Sequence, residues 1–160
     1  MSTYPMPNLT DFISGSITYA SQISYLASFY TNSVYRQVME KHEISRSDFV
    51  VVFCLNKAGE MTAQDICAFT GRPKNSVSRA VNTMLERGYI ARRNDPNDAR
   101  RAVLSITRRG SELYEAALPL FEARQEAMLA PLTAKECATL ARLLEKLVLR
   151  EDAWAVPEAD

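Results

Sequence analysis

The chain has 160 residues, 47% of them hydrophobic, which is enough for one domain with its own core. Its 19 basic and 19 acidic residues cancel, and a neutral chain by itself argues against a nucleic-acid-binding protein. The sequence contains no signal-peptide pattern and no apolar stretch of membrane-spanning length, so we expect a cytoplasmic protein without a membrane partner.

The basic residues are unevenly distributed along the chain. Residues 62–109 contain ten basic and four acidic side chains, a local charge of +6, which leaves nine basic and 15 acidic side chains, or −6, for the remainder. A basic segment within an otherwise acidic chain predicts a surface that contacts DNA on one side only.

The N-terminal residues predict an extended arm followed by a long helix. Two prolines between Met1 and about Asn8 favour an extended chain. From about Asp11 to Lys41 we expect one helix, whose apolar residues cover more than one narrow stripe. Such a helix must be buried both in its own core and against a partner.

The next segment is ambiguous between a strand and a helix. The run Phe49–Leu55 is rich in β-branched residues, and on its own it would favour a buried strand. Ser45 precedes it, with Asp48 three residues later, and this pair is typical of the start of a helix. We therefore predict a helix that Gly59 ends, and a short strand at Glu60–Met61.

Residues 62–88 predict two helices separated by a tight turn. Thr62 and Asp65 form a capping pair at the start of the first helix, and Gly71 ends it. A second helix is expected from about Pro73 to Arg87, with Gly88 after its end. The apolar residues expected to face inward are Ile66 and Phe69 in the first helix and Val77, Val81, Met84 and Leu85 in the second.

The opposite side of the second helix is polar and carries almost no acid. Arg and Lys side chains suit guanine and phosphate, Asn suits adenine, and Ser and Thr suit either kind of contact. This side is formed by Lys74, Asn75, Ser76, Ser78, Arg79, Asn82 and Thr83.

A basic two-stranded wing is predicted directly after this pair of helices. Tyr89–Arg93 is expected to be one strand and Arg101–Ile106 the strand that returns beside it. The segment between them, Asn94–Ala99, is dense in turn-forming residues.

The C-terminal third predicts two further helices. Thr107 is expected to cap the first, and Pro119 lies inside its pattern and should kink it before Pro131 ends it. Thr133 and Glu136 form a capping box for the last helix. Its apolar residues are Leu140, Leu143, Leu144, Leu147 and Val148, and residues 154–160 are expected to be a loose tail.

Four motifs in the middle of the chain resemble the winged helix-turn-helix of MarR-type bacterial transcription regulators. They are G-x-x-x-x-S-V-S-R-x-V from residue 71 to 81, L-E-R-G from 85 to 88, D-P-N-D-x-R from 95 to 100 and S-I-T-x-x-G from 105 to 110. The resemblance implies a mainly α fold with a small β wing. It also implies a single domain with a dimerisation lobe from residues 1–44 and 111–160 and a DNA-binding lobe from 45–110.

The resemblance further implies a homodimeric repressor of a pseudo-palindromic operator, with half-sites about 34–36 Å apart. A small aromatic or anionic effector between the lobes would relieve repression, and Tyr30 and Arg36 are our candidates for contacting it. In the wing, Asp98 would pair with Arg100 and aim it into the minor groove. The predicted DNA-binding residues are Lys74, Asn75, Ser76, Ser78, Arg79, Thr83, Arg92, Asp98, Arg100 and Arg101.

One position departs from the family pattern. Relatives usually have Ser, Thr or Asp where this chain has Pro73, and proline cannot cap a helix through its side chain. Either the second helix begins a residue earlier, or another group, such as a DNA phosphate, holds its N-terminus.

Other classes of function have weaker support in the sequence. A winged-helix module for protein contacts is the main alternative, and salt-dependent DNA retention would separate the two. A redox-responsive regulator is a minor hypothesis, with Cys137 as the candidate exposed thiol, because Cys54 and Cys67 are expected to be buried as small apolar side chains. We predict no enzyme, no cofactor and no metal site, since the single histidine, His42, stands apart from any catalytic or ligand pattern.

Overall fold

The computed structural model describes residues 8–95 and 98–150, with the backbone alone at Phe12, at Asp95 and at 98–101. Ten elements follow one another along this part of the chain, and they confirm the predicted mainly α fold with a small β wing. They are α1 (Leu9–Phe12), α2 (Thr18–His42), α3 (Arg46–Ala58), β1 (Glu60–Met61), α4 (Ala63–Thr70), α5 (Lys74–Glu86), β2 (Ile90–Asp95), β3 (Asp98–Ile106), α6 (Arg108–Leu129) and α7 (Ala134–Val148).

The chain forms two compact units, Met1–Ala123 and Arg124–Asp160. The first unit contains the predicted DNA-binding lobe together with α2 and most of α6. The second contains α7. This helix has an amphipathic sequence, but none of its residues is buried in the single chain. The division into a dimerisation lobe and a DNA-binding lobe is a functional one and stays a prediction. The expected N-terminal arm, apart from Asn8, and the expected C-terminal tail lie outside the described residues.

The prediction of one continuous helix from Asp11 to Lys41 was wrong. The helical segment is interrupted at residues 13–17, between the four-residue α1 and the 25-residue α2. Gly15 lies in this break with a φ of 104°, a conformation that glycine adopts at little cost. Flanking serines are weak helix formers, because their hydroxyls compete for backbone hydrogen bonds.

The buried core lies within the first unit and joins α2, α3, α4, α5, the sheet and the first half of α6. The run Phe49–Leu55 is helical, and Ser45 and Asp48 form the predicted capping box at the start of α3. Burying a side chain of the size of valine, leucine or phenylalanine stabilises the fold by about 1.5–3 kcal/mol. Side chains with less than 2% exposure include Val34, Val38, Ile44, Phe49, Val52, Leu55, Ile66, Met84 and Leu104.

The prediction that Phe69 faces inward was wrong. Helix α4 begins with the expected capping box of Thr62 and Asp65, and Ile66 is fully buried. Ala63 and Cys67 also pack against the core, whereas the Phe69 side chain is 73% exposed. Positions 63, 66 and 67 form the inward stripe of this short helix, and position 69 lies beyond the edge of that stripe.

Helix α5 ends as the sequence predicts. Gly88 has a φ of 72°, the Tyr89 N–H donates to the Met84 carbonyl at 2.9 Å, and the Gly88 N–H donates to the Leu85 carbonyl at 3.0 Å. This pair of hydrogen bonds is a Schellman motif, in which a residue of positive φ lets the chain turn back over the last helical turn. The motif directs the chain from α5 straight into β2.

The three strands form an antiparallel sheet in the order β1-β3-β2, and β1 confirms the predicted strand at Glu60–Met61. The predicted loop at Asn94–Ala99 was too long, because pairing continues to Asn94 opposite Ala102 and to Asp95 opposite Asp98, with an irregularity between them. Ladder hydrogen bonds here outweigh the turn preferences of the residues. The tip of the wing, Pro96–Asn97, lies outside the described residues.

Candidate nucleic-acid interface

The outward side of α5 carries the predicted polar set. Val77, Ala80, Val81 and Met84 are buried and fix the orientation of the helix against the core. On the opposite side, Lys74, Asn75, Ser78, Arg79 and Asn82 are exposed, whereas Ser76 and Thr83 are half-buried. Glu86, in the last turn, is the only acidic residue in the sequence of this helix.

Four of the predicted residues line one groove between α5 and the N-terminal end of α3. The groove has a volume of about 390 Å³. Its lining consists of Asn75, Ser76, Arg79, Ala80 and Thr83 from α5 and Ser45, Ser47 and Asp48 from the start of α3. Lys74 instead lines a smaller cavity of about 270 Å³ with Ala63, Gln64 and Cys67. Ser78 is exposed and lines neither cavity.

The N-terminal ends of α3 and α5 meet at this groove. The hydroxyls of Ser47 and Ser76 lie 3.2 Å apart, and the Arg72 Nη1 donates to Ser47 Oγ at 3.3 Å. Helix N-termini carry partial positive charge and favour anions, and hydroxyl and guanidinium groups are phosphate donors. Ser47 and Arg72 could not be identified as site residues from the sequence, because positions 25 to 29 residues apart show no common pattern.

The structure excludes one of the two alternatives for the start of α5 at Pro73. Helix α5 begins at Lys74, after Pro73, so the alternative of an earlier start was wrong. Pro73 has a φ of −59° and a ψ of 140° and makes no side-chain cap. Asn75 replaces part of the missing cap, because its Oδ1 accepts a hydrogen bond from the Ser76 N–H at 2.8 Å.

In the wing, the two arginines of β2 have different surroundings. Arg92 is exposed, whereas Arg93 forms an ion pair with Glu60 of β1, with Nη2 and Oε2 2.6 Å apart. The hydrogen bond from Arg93 lowers the pKa of the Glu60 carboxyl. Asp98, Arg100 and Arg101 belong to β3, and their side chains lie outside the described residues, so the proposed pairing of Asp98 with Arg100 stays a prediction.

The two candidate effector residues are not brought together. Tyr30 is half-buried and its hydroxyl donates to the Phe121 carbonyl at 3.4 Å, whereas Arg36 is exposed. Six residues of helix rotate by about 240°, so these side chains leave α2 in different directions.

Aromatic rings fill the space between α2, α3 and the middle of α6. Phe49 stacks on Phe121 with ring centroids 5.1 Å apart, and Tyr35 meets Phe121 edge-on at 5.6 Å. The Arg46 guanidinium lies over the Tyr35 ring, 5.1 Å from its centroid. Burial raises the pKa of the Tyr35 hydroxyl, so this group stays protonated and can donate a hydrogen bond.

The cysteines lie in different surroundings. Cys54 is buried, and burial raises the pKa of its thiol, which disfavours the reactive thiolate. Cys67 and Cys137 are half-buried. Among the residues that the structure describes, no group of three or more histidine, cysteine or acidic side chains could hold a metal ion. None of the described helices combines the length and the apolar character that a membrane span requires.

The fold and this surface together define a class of protein. Two helices joined by a tight turn are followed by an antiparallel wing, and the second helix exposes amide, hydroxyl and guanidinium groups. This is a winged helix-turn-helix DNA-binding protein. A sequence model described as the MarR family matches residues 42–101, from the end of α2 into the wing. Over residues 42–101 the chain is therefore similar to the MarR family of transcription regulators.

Similar proteins support this assignment. An HTH-type transcriptional regulator, BilQ, of Clostridium symbiosum is 28% identical over 115 residues, which cover 72% of this chain and 80% of that protein. A MarR-family transcriptional regulator from Silicibacter pomeroyi has a similar fold, with a TM-score of 0.76, 19% identity and coverage of 96% of this chain and 100% of that chain. A MarR mutant from E. coli complexed with operator DNA has a TM-score of 0.64 and 21% identity, covering 84% of this chain and 99% of that chain.

Proposed function

We propose that a homodimer of this chain represses transcription by binding a pseudo-palindromic operator within a promoter. The observation that carries the proposal is the groove in which Asn75, Ser76, Arg79 and Thr83 of α5 meet Ser47 of α3. A helix whose exposed side bears these groups can enter the major groove and contact base edges. The fold of the chain is also similar to that of the E. coli MarR mutant complexed with operator DNA.

Two parts of this surface would have different roles in DNA binding. Arg79 and Asn82 lie on the exposed side of α5, where side chains reach base edges. Ser47, Ser76 and Arg72 lie at the meeting point of two helix N-termini, where a backbone phosphate is favoured. Phosphate contacts would fix the register of the protein on the duplex, and base contacts would supply sequence preference.

Dimerisation is supported by two apolar helix faces, each exposed in the single chain. On α2 and just before it, the exposed side chains are Ile17, Tyr19, Ile23, Leu26 and Phe29, and on α7 they are Leu143, Leu144, Leu147 and Val148. A monomer that exposed this much apolar surface would associate. A second copy would cover these faces and place the two α5 helices one helical turn of DNA apart.

A small aromatic or anionic effector that binds the protein would relieve repression of transcription. The half-buried rings of Tyr35 and Phe121 and the exposed guanidinium of Arg46 offer stacking and charge at one place. Tyr30 adds a hydroxyl nearby, through its contact with the Phe121 carbonyl. Thermal melts with a panel of aromatic acids test this part of the proposal, and an unchanged melting temperature throughout the panel would contradict it.

The function is tested by selecting genomic fragments with the intact protein and measuring the affinity for the selected duplex at several salt concentrations. We expect a dimer at micromolar concentration in sedimentation, and a logarithm of the affinity that falls linearly with the logarithm of the salt concentration. A module for protein contacts would retain no particular fragment. A stable monomer that binds the selected duplex at full affinity would contradict the dimeric arrangement.

The wing gives a separate expected result. Replacing Arg100 with alanine should weaken operator binding strongly while hardly changing the melting temperature, because an exposed ion pair adds only about 0–1 kcal/mol to folding. A narrow minor groove concentrates negative potential and attracts a guanidinium group. Asp98→Ala should have the same effect more mildly, since the arginine remains but is less well aimed. Binding of Arg100→Ala at the wild-type level, on both operator and random duplex, would mean that this side chain contacts nothing.

A further inference from the structure

Three segments of the first unit meet beyond the C-terminal end of α5, which we call the recognition helix because it is proposed to contact base edges. They are the C-terminal end of α2 at His42 and Glu43, the turn after α5 at Arg87–Tyr89, and the start of α6 at Thr107–Gly110. Hydrogen bonds from side chains to backbone carbonyls join all three segments. We call this place the α2–α5–α6 junction.

Arg87 connects α5 to α2 at this junction. Its Nη1 donates to the Glu43 carbonyl at 2.6 Å, and its Nη2 lies 3.4 Å from the His42 carbonyl. These two carbonyls are at the negative end of the α2 dipole, and a guanidinium can bond both because its donors form a planar fork. Glu43 is the C-cap of α2 and has a φ of 55°, a left-handed conformation that is uncommon for a residue with a side chain.

The same turn is held from the other side by α6. The Tyr89 carbonyl accepts the Thr107 N–H at 3.1 Å, and the Thr107 hydroxyl donates to the Gly88 carbonyl at 2.8 Å. The buried Tyr89 ring lies near two guanidinium groups. The Cζ atom of Arg87 is 5.4 Å from the ring centroid, and the Cζ atom of Arg109 is 4.8 Å from it. The end of α5 is therefore attached to α6 through the turn and to α2 through Arg87.

We infer that Arg87 is a positioning residue, which sets the orientation of α5 for base contacts through its bonds to the α2 carbonyls without touching DNA itself. The inference rests on the proposed function, since it concerns how α5 is presented to an operator. Helix α5 has 13 residues and is about 20 Å long, so a tilt of about 5° at its C-terminal end moves the other end by nearly 2 Å. A hydrogen bond to a base edge fails over a smaller displacement than that.

The test compares Arg87→Ala, Arg87→Lys and the control Glu43→Gly in the full-length protein, on the duplex selected by the wild type and on random duplex. Arg87→Ala should bind the selected duplex at least tenfold more weakly, with unchanged affinity for random duplex and an unchanged salt slope. Arg87→Lys keeps the charge but cannot bond two carbonyls in the same planar geometry, so it should restore only part of the loss. Glu43→Gly keeps the carbonyl acceptor and suits a positive φ, so its binding should match the wild type.

Hydrogen exchange of the DNA-free protein gives a second measurement that does not depend on an operator. The amides of the last turn of α5 should exchange faster in Arg87→Ala than in the wild type or in Glu43→Gly, at a temperature where melts show every variant folded. Unchanged exchange together with unchanged affinity for the selected duplex overturns the inference. Equal losses on selected and random duplex, with a salt slope smaller by about one, also overturn it, because they identify Arg87 as a phosphate contact. A wild type that selects no DNA contradicts the proposed function, and the exchange measurement still decides the role of Arg87.

Discussion

Replacing Arg79 with alanine is expected to weaken specific DNA binding by about 1–3 kcal/mol and to relax base preference at one position of each half-site. The Arg79 side chain is exposed, lies midway along α5 and lines the groove beside Ser76 and Thr83. Because its charge contacts solvent rather than the core, folding should change by less than about 0.5 kcal/mol.

Lys74→Ala is the matched control for Arg79→Ala, since both residues are exposed cations of the same helix and only Arg79 lines the groove. A lysine that contacts phosphate should weaken binding to all sequences by a similar factor and reduce the salt slope by about one. Affinities for the selected duplex, for single-base variants of it and for random duplex separate the two patterns. If Arg79→Ala stays folded and keeps wild-type affinity and base preference, α5 is not in the major groove in the orientation proposed.

Local backbone chemistry explains which features of the fold could be predicted from the sequence. Each helix start that depends on one side chain and a partner three residues later is present, at Ser45, Thr62 and Thr133. The glycine turn at Gly88 is equally local, because a left-handed residue after a helix needs no distant contact. The polar side of α5 was also predictable, since four buried residues at helical spacing determine which side chains remain outside.

Features that depend on residues distant in sequence could not be predicted. The bond from Arg87 to Glu43 joins a side chain to a carbonyl, and a carbonyl has no residue type that a sequence pattern could reveal. The Arg93 pair with Glu60 depends on the strand register, which places β1 and β2 on either side of β3. The exposure of Phe69 depends on how an eight-residue helix is rotated against its neighbours, and its residue type alone favours burial.

The S-I-T-x-x-G motif, which carried part of the family resemblance, has a physical explanation at the α2–α5–α6 junction. Thr107 bonds the turn after α5, and its hydroxyl also accepts the Gly110 N–H at 3.2 Å. Gly110 lies so close to the preceding turn that an added Cβ would collide with the Tyr89 carbonyl oxygen. The motif therefore lets the start of α6 pack directly against the backbone that leaves the recognition helix.

Gly110→Ala should accordingly destabilise the protein, although alanine is the better helix former by about 1 kcal/mol. The added methyl would also lie 2.7 Å from Ile106 Cγ1, and the Tyr89 oxygen cannot rotate away as a side chain could. Overpacking of this kind costs about 1–3 kcal/mol and sometimes more, so the clash should outweigh the gain in helix propensity. We expect a melting temperature lower by several degrees and, because the clash displaces the turn that follows α5, weaker operator binding even where the variant is folded.

Glu115→Ala, an exposed substitution in the same helix, is the control and should leave both quantities almost unchanged. Equal melting temperatures for Gly110→Ala and the wild type would mean that α6 can move away from Tyr89 at no cost, and the close packing of this junction would then have no part in holding α5.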